Sequence, residues 1–105
     1  MTDRELLELA AKAAGEYISP PKGHAISDDL PVVFTYMGKP WNPLTDDGDA
    51  LRLAVKLKLL IDGCSNCVQT MEQDHGWFYG ESGDEYAKTR RAIVRAAAEI
   101  GRSMK

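Results

Sequence analysis

The chain has 105 residues, of which 44% are hydrophobic and 28% are charged, and its formal net charge is −3. This length predicts one domain that spans residues 1–105, and the composition excludes a disordered chain. The acidic balance argues against non-specific nucleic-acid binding, which needs a basic surface to displace the counterions of the phosphates.

The sequence also predicts a cytoplasmic protein that does not enter a membrane. Its first residues lack the basic region and apolar run that are typical of a signal peptide. No apolar stretch approaches the roughly 18 residues that a membrane-spanning helix requires. Cysteines in the cytoplasm are expected to remain reduced thiols.

The first predicted helix covers residues 2–15. Thr2 is a favourable N-cap, and Glu5 three residues later completes a capping box. Gly15 is expected to end the helix, because glycine readily takes the left-handed conformation that closes a helix C-terminus.

Two strands are predicted after this helix. Tyr17 and Ile18 indicate a short strand, and the prolines within residues 20–23 then favour a turn. Residues 32–37 lie between a proline and a glycine, and all of them except Met37 are β-branched or aromatic, which predicts a second strand.

A second helix is predicted after a tight connection at residues 38–43. It begins at one of residues 45–47 and runs to about Leu60, before the pair Asp62–Gly63. Apolar residues at helical spacing define its predicted buried face; these are Leu51, Leu53, Ala54, Leu57, Leu60 and Ile61.

Two further strands are predicted at residues 66–73 and 77–79, with a turn between them. The element order is then helix, two strands, helix, two strands, helix. This order predicts an α+β fold, helix-strand-strand-helix-strand-strand-helix, with a four-stranded, mainly antiparallel sheet packed with helices in an α/β sandwich.

The last helix shows the strongest helical pattern. Ser82 and Glu85 form a second predicted capping box. Tyr86 and Ile93 begin an apolar face that continues at helical spacing. Gly101 is expected to end the helix near the C-terminus.

The segment from Trp41 to Asp49 is the main candidate site. Asp46, Asp47 and Asp49 could bind a divalent cation, but their spacing does not match an EF-hand loop. Acids at a helix start more often cap the helix and interact with its dipole, and we favour that interpretation. Trp41, which precedes Asn42, is more often a core anchor than a stacking platform.

A second candidate site is the CxxC motif of Cys64 and Cys67. A redox dithiol would need its first cysteine at a helix N-terminus, but this motif follows a predicted helix and precedes a predicted strand. A structural zinc site would require His24 and His75 as the remaining ligands, at a spacing that fits no compact zinc finger. Two free thiols are therefore the preferred interpretation.

Basic residues on the last helix form a third candidate. Arg91 and Arg95 lie one helical turn apart, so they could together bind a phosphate or an acidic protein surface. The alternative, which we favour, is a solvated helix face.

Two stretches resemble a known family. They are WNPLTDDGDALRLAVKL at residues 41–57 and YAKTRRAIVRAAAEI at residues 86–100. Both resemble small phage and prophage proteins of the "phage ABA sandwich" type. The resemblance implies an α/β sandwich and a viral accessory role, and it implies no catalytic residues.

Two functions are carried forward. The first is a non-enzymatic protein without a cofactor that binds a host or phage protein, with inhibition of a host defence system as one form of this role. The alternative is a small-ligand binder for a nucleotide or phosphorylated metabolite. The candidate binding residues are those already named: Trp41, Asn42, Asp46, Asp47, Asp49, Arg91 and Arg95. The small-ligand alternative would use Trp41 and the two arginines with the backbone amides at the start of the second helix, where the three acids would repel a phosphate unless a metal ion intervened. Amphipathic helices at both ends are also compatible with a homodimer.

Overall fold

The computed structural model describes residues 2–15, 34–36, 39–71, 76–81 and 83–104. Three helices lie within these ranges: α1 (Asp3–Ala14), α2 (Asp47–Leu57) and α3 (Glu85–Ser103). The strands are β1 (Phe34–Tyr36), β2 (Lys39–Trp41), β3 (Leu60–Asp62), β4 (Cys67–Gln69) and β5 (Trp77–Tyr79). The α+β class predicted from the sequence is confirmed.

The ends of α1 follow the predicted capping residues. Oγ1 of Thr2 accepts a hydrogen bond from the backbone N–H of Glu5 at 3.2 Å. Gly15 has a left-handed φ of 72°, and its N–H donates to the carbonyl oxygens of Ala11 and Lys12. The boundaries predicted for this helix are therefore confirmed.

The helix α2 ends earlier than predicted. Lys58 takes a left-handed φ of 55°, and its N–H donates to the carbonyl oxygens of Ala54 and Val55, which closes the helix. The next residues form β3 and pair with β4. The predicted end near Leu60 is wrong, because apolar spacing alone does not separate a last helical turn from a short strand that follows it.

The described strands form two antiparallel sheets. β1 pairs with β2, with Phe34 opposite Trp41, while β3, β4 and β5 form a three-stranded sheet in that order. The single four-stranded sheet predicted from the sequence is not confirmed, because these two groups of strands do not pair with each other within the described residues. The strand predicted at Tyr17 and Ile18 lies outside them.

One face of the three-stranded sheet packs on α3. Ile61, Val68 and Phe78 lie opposite one another in the strand register, so their side chains share a face. Val68 is fully buried and Phe78 packs against the core. α3 contacts both β4 and β5, which places the apolar face of the sheet on this helix.

The helix α3 differs from its prediction at both ends. Its N-cap is Asp84, whose Oδ1 accepts from the N–H of Ala87 at 2.8 Å. The predicted capping box is wrong, and Ser82 itself lies outside the described residues. Gly101 does not end the helix, which continues to Ser103.

The helices α1 and α3 run parallel. Asp3 at the start of α1 pairs with Arg91 at 2.7 Å, and Nζ of Lys12 near the end of α1 donates to the carbonyl oxygen of Met104 at 3.0 Å. Contact between α1 and α3 is the most extensive between any two described elements. The packed side chains of both helices are mostly alanine, which brings the two backbones close together.

Gly101 occupies the closest approach between these helices. A β-carbon at this position would overlap the carbonyl oxygen of Leu9 and crowd the backbone of Ala13. Gly101 thus allows the backbone of α1 to pack closely against α3. This close contact explains why a glycine lies inside a helix, where alanine would otherwise be more favourable.

The core surrounds α3. This helix contacts α1, α2, β4 and β5, so it is packed on several sides. Its buried residues are Ala92, Ile93, Val94, Ala96, Ala97, Ala98 and Gly101.

The substitution Gly101→Ala tests this packing. Alanine in an open helix interior would gain about 1 kcal/mol over glycine, but overlap with Leu9 should reverse the sign and cost about 1–3 kcal/mol. Urea denaturation measures the difference. The control Gly63→Ala meets open space and should change stability by less than about 0.5 kcal/mol; a stabilised Gly101→Ala would contradict the close approach.

Candidate functional site

The predicted site around Trp41 is built as a compact turn before α2. The Trp41 residue is only 7% exposed and belongs to the hydrophobic core. Oδ1 of Asn42 accepts from the N–H of Leu44 at 2.9 Å, and the Asn42 carbonyl oxygen accepts from the N–H of Asp46 at 2.9 Å. The core-anchor interpretation of Trp41 is therefore confirmed.

Two of the three acids complete this turn. Asp46 is the N-cap of α2, and its Oδ2 accepts from the N–H of Asp49 at 2.8 Å. Asp49 is buried, and its Oδ2 accepts from the N–H of Asn42 at 2.9 Å. Its other oxygen accepts from Nη2 of Arg52 at 2.6 Å. The carboxylate of Asp49 thus ties the start of the turn to the first turn of α2.

The third acid connects α2 to α3. Oδ1 of Asp47 accepts from Nη1 of Arg90 at 2.6 Å, and Nε of Arg90 donates to the carbonyl oxygen of Leu44 at 2.9 Å. The Arg90 side chain is largely buried, whereas that of Asp47 is 67% exposed. This guanidinium therefore fixes the N-terminus of α2 against α3.

The carboxylates of Asp46, Asp47 and Asp49 cap α2 or join it to neighbouring segments, and they do not surround a common point. Among the described residues, no group of three or more histidine, cysteine, aspartate or glutamate side chains has a geometry that could hold a metal ion. Acidic side chains also occupy the first turn of α2, where a phosphate would otherwise meet free backbone N–H groups. Capping by Asp46, the interpretation favoured from the sequence, is confirmed.

Arg91 and Arg95 point to different partners. Arg91 pairs with Asp3 on α1. Nη1 of Arg95 donates to the carbonyl oxygen of Tyr79 at 2.9 Å, and its Nη2 pairs with Glu81 at 3.0 Å. Both guanidinium groups are thus used in contacts that join α3 to neighbouring elements.

The first cysteine of the CxxC motif lies in the turn between β3 and β4, and the second is the first residue of β4. Oδ1 of Asp62 accepts from the N–H of Cys64 at 3.0 Å, and Asn66 has a left-handed φ of 53°. Cys64 is exposed, Cys67 is buried at the start of β4, and both are free thiols. The motif follows a strand and not the predicted helix, so the first cysteine is not at a helix N-terminus. The zinc alternative cannot be placed, because His24 and His75 lie outside the described residues.

An open groove of about 330 Å³ lies between α2, the first turns of α3 and the turn region of β3 and β4. Its apolar wall includes Leu51, Ile61 and Tyr86. Leu51 is 59% exposed and Tyr86 is 68% exposed. Asp47, Glu85 and Arg90 contribute charged groups to the same groove.

Sequence reasoning missed this groove. Helical spacing predicts that Leu51 and Tyr86 are buried, but both are exposed, whereas Leu53, Ala54 and Ile93 of the same predicted faces are buried. The signal that could have indicated a wider apolar surface is the two-residue spacing of Leu51 and Leu53, because positions two apart lie on different sides of a helix.

Comparison of the chain with protein-family models, with curated proteins and with solved structures gave no match. The helices within the described ranges include none that is both long and apolar enough to cross a membrane.

The substitution Asp49→Ala tests the buried carboxylate. It removes the acceptor of the Asn42 N–H and should lower the free energy of unfolding by about 1–3 kcal/mol. The control Glu85→Ala removes an exposed acid from the first turn of α3 whose side chain has no partner among the described residues, and it should cost less than about 1 kcal/mol. Equal losses for the two variants in urea denaturation would show that the buried carboxylate has no special role.

Proposed function

We propose that this protein is a phage- or prophage-encoded accessory protein that binds a host or phage protein without catalysing a reaction. The observation that carries the proposal is the groove in which Leu51, Ile61 and Tyr86 are exposed together. Exposed apolar side chains that lie together, in contrast to scattered single ones, mark interaction surfaces in soluble proteins.

The surface that we propose for binding differs from the one predicted from the sequence. Trp41 and Asp49 are buried, while Arg91 and Arg95 are engaged with other parts of the chain. These residues therefore support the fold around the groove, and Leu51 and Tyr86 are the side chains available to a partner.

The viral part of the proposal is supported by the resemblance of residues 41–57 and 86–100 to phage proteins of the ABA sandwich type. On this basis we place the protein in the cytoplasm of a bacterial host. Inhibition of a host defence system is one form of the role, since a small non-enzymatic protein would act there by occupying a surface of its target.

The small-ligand alternative has less support. A phosphate at the start of α2 would meet the acidic side chains of Asp46, Asp47 and Asp49, which already satisfy or surround the local N–H groups. Arg91 and Arg95 do not converge on that position. The groove is also mainly apolar, which suits a protein side chain better than a phosphorylated metabolite.

Capture of a partner from bacterial lysate tests the proposal. The tagged wild-type protein should retain a single stoichiometric protein, and both Leu51→Ser and Tyr86→Ser should weaken that binding at least about tenfold, as expected for central interface residues. Met71→Ser is the control, because Met71 is exposed but does not line the groove.

Two results would contradict the proposal. The first is retention of the same partner by both groove variants. The second is the absence of any stoichiometric partner for well-folded wild-type protein in lysates of the infected host and of the uninfected host.

A further inference from the structure

We infer that the groove binds an amphipathic helix whose apolar stripe is flanked by lysine or arginine. This inference rests on the proposed function and adds the chemical class of the partner. It follows from the shape of the groove, from an acid without a side-chain partner among the described residues, and from the contacts that already occupy the arginine of the groove.

The shape of the groove favours a helix. Two of its walls are helices, with Asp47 and Leu51 one turn apart on α2 and Tyr86 and Arg90 one turn apart on α3. A further exposed apolar residue, Val55, follows Leu51 by another turn. Side chains repeating along two helices form ridges between which a third helix can place its own apolar stripe.

The charges around the groove favour a basic partner. Its lining carries the carboxylates of Asp47 and Glu85 and the guanidinium of Arg90, which leaves a net charge of −1. Arg90 is already bonded to Asp47 and to the carbonyl oxygen of Leu44. Within the described part of the chain, Glu85 has neither a hydrogen bond nor an ion pair from its side chain, so it is available to a cationic side chain of a partner.

The same charges disfavour a second copy of this chain. In a two-fold interface centred on this groove, the lining of one copy, with its net charge of −1, would meet the identical lining of the other copy. Like charges placed together across an interface are unfavourable and suppress the wrong partner. A helix with lysine or arginine beside its apolar stripe meets the acids with opposite charge and still covers Leu51 and Tyr86.

Two designed helical peptides test the inference directly. Both are about 18 residues long, so that a helix can form, and carry the same leucine stripe; one is flanked by lysines and the other by glutamates. Isothermal titration calorimetry with the wild-type chain should show binding of the lysine peptide at least about tenfold tighter than that of the glutamate peptide, a difference of about 1.4 kcal/mol. The preference should fall at high salt.

Variants of the chain test whether the preference for the lysine peptide arises from the groove. Leu51→Ser should weaken the lysine peptide by about tenfold or more, and Glu85→Lys should remove most of the preference between the two peptides. Met71→Ser should leave both affinities unchanged. Equal binding of the two peptides, no binding of either up to about 1 mM, or a preference that survives Glu85→Lys would overturn the inference.

Sedimentation velocity distinguishes the second copy as occupant. The wild-type chain should remain monomeric as its concentration rises, and a dimer that Leu51→Ser disperses would overturn the inference. The basic-helix inference can fail while the proposed function holds. If a partner is captured through Leu51 and Tyr86 but the groove prefers the glutamate peptide, the protein binds another protein, and that partner is not a basic helix.

Discussion

The close parallel packing of α1 on α3 is the constraint on which the other contacts depend. Gly101 lets the backbone of α1 approach α3 at Leu9, and most of the buried side chains of these two helices are alanine. Because α3 also contacts α2, β4 and β5, the other elements of the core are held together by their packing on this one helix. A change that separates α1 from α3 therefore affects more than their shared surface.

Polar contacts hold the N-terminus of α2 in place. Asp49 ties the preceding turn to the helix, and Arg90 joins Asp47 and Leu44 to α3. These polar contacts hold α2 beside the first turns of α3, while its buried face is supplied by Leu53 and its neighbours. Leu51 and Tyr86 consequently border the groove without being covered, so the contacts that support the fold also expose the proposed binding surface.

Sequence reasoning predicted several of the features that local chemistry determines, although it did not identify the N-cap of α3. Thr2, Gly15 and Asp46 act at helix ends as expected, because caps depend on a few neighbouring residues. It was wrong about Gly101, because the contact that requires this glycine is made with a different helix, α1. It was also wrong about the end of α2, because Lys58 takes the left-handed conformation there although it is not a glycine. The groove could not be predicted either, because apolar spacing does not show which of two apolar helix positions is buried by the rest of the chain and which stays exposed.

Native-state hydrogen exchange followed by NMR tests the central role of α3 most directly. Amides at the centre of this helix, from Ala92 to Ala98, should exchange only through global unfolding, because every smaller opening would disrupt contacts with several elements at once. Their free energies of exchange should equal the unfolding free energy from urea denaturation and exceed those of α2. If the free energies of exchange at the centre of α3 were lower than those of α2, the central role of α3 in the fold would be contradicted.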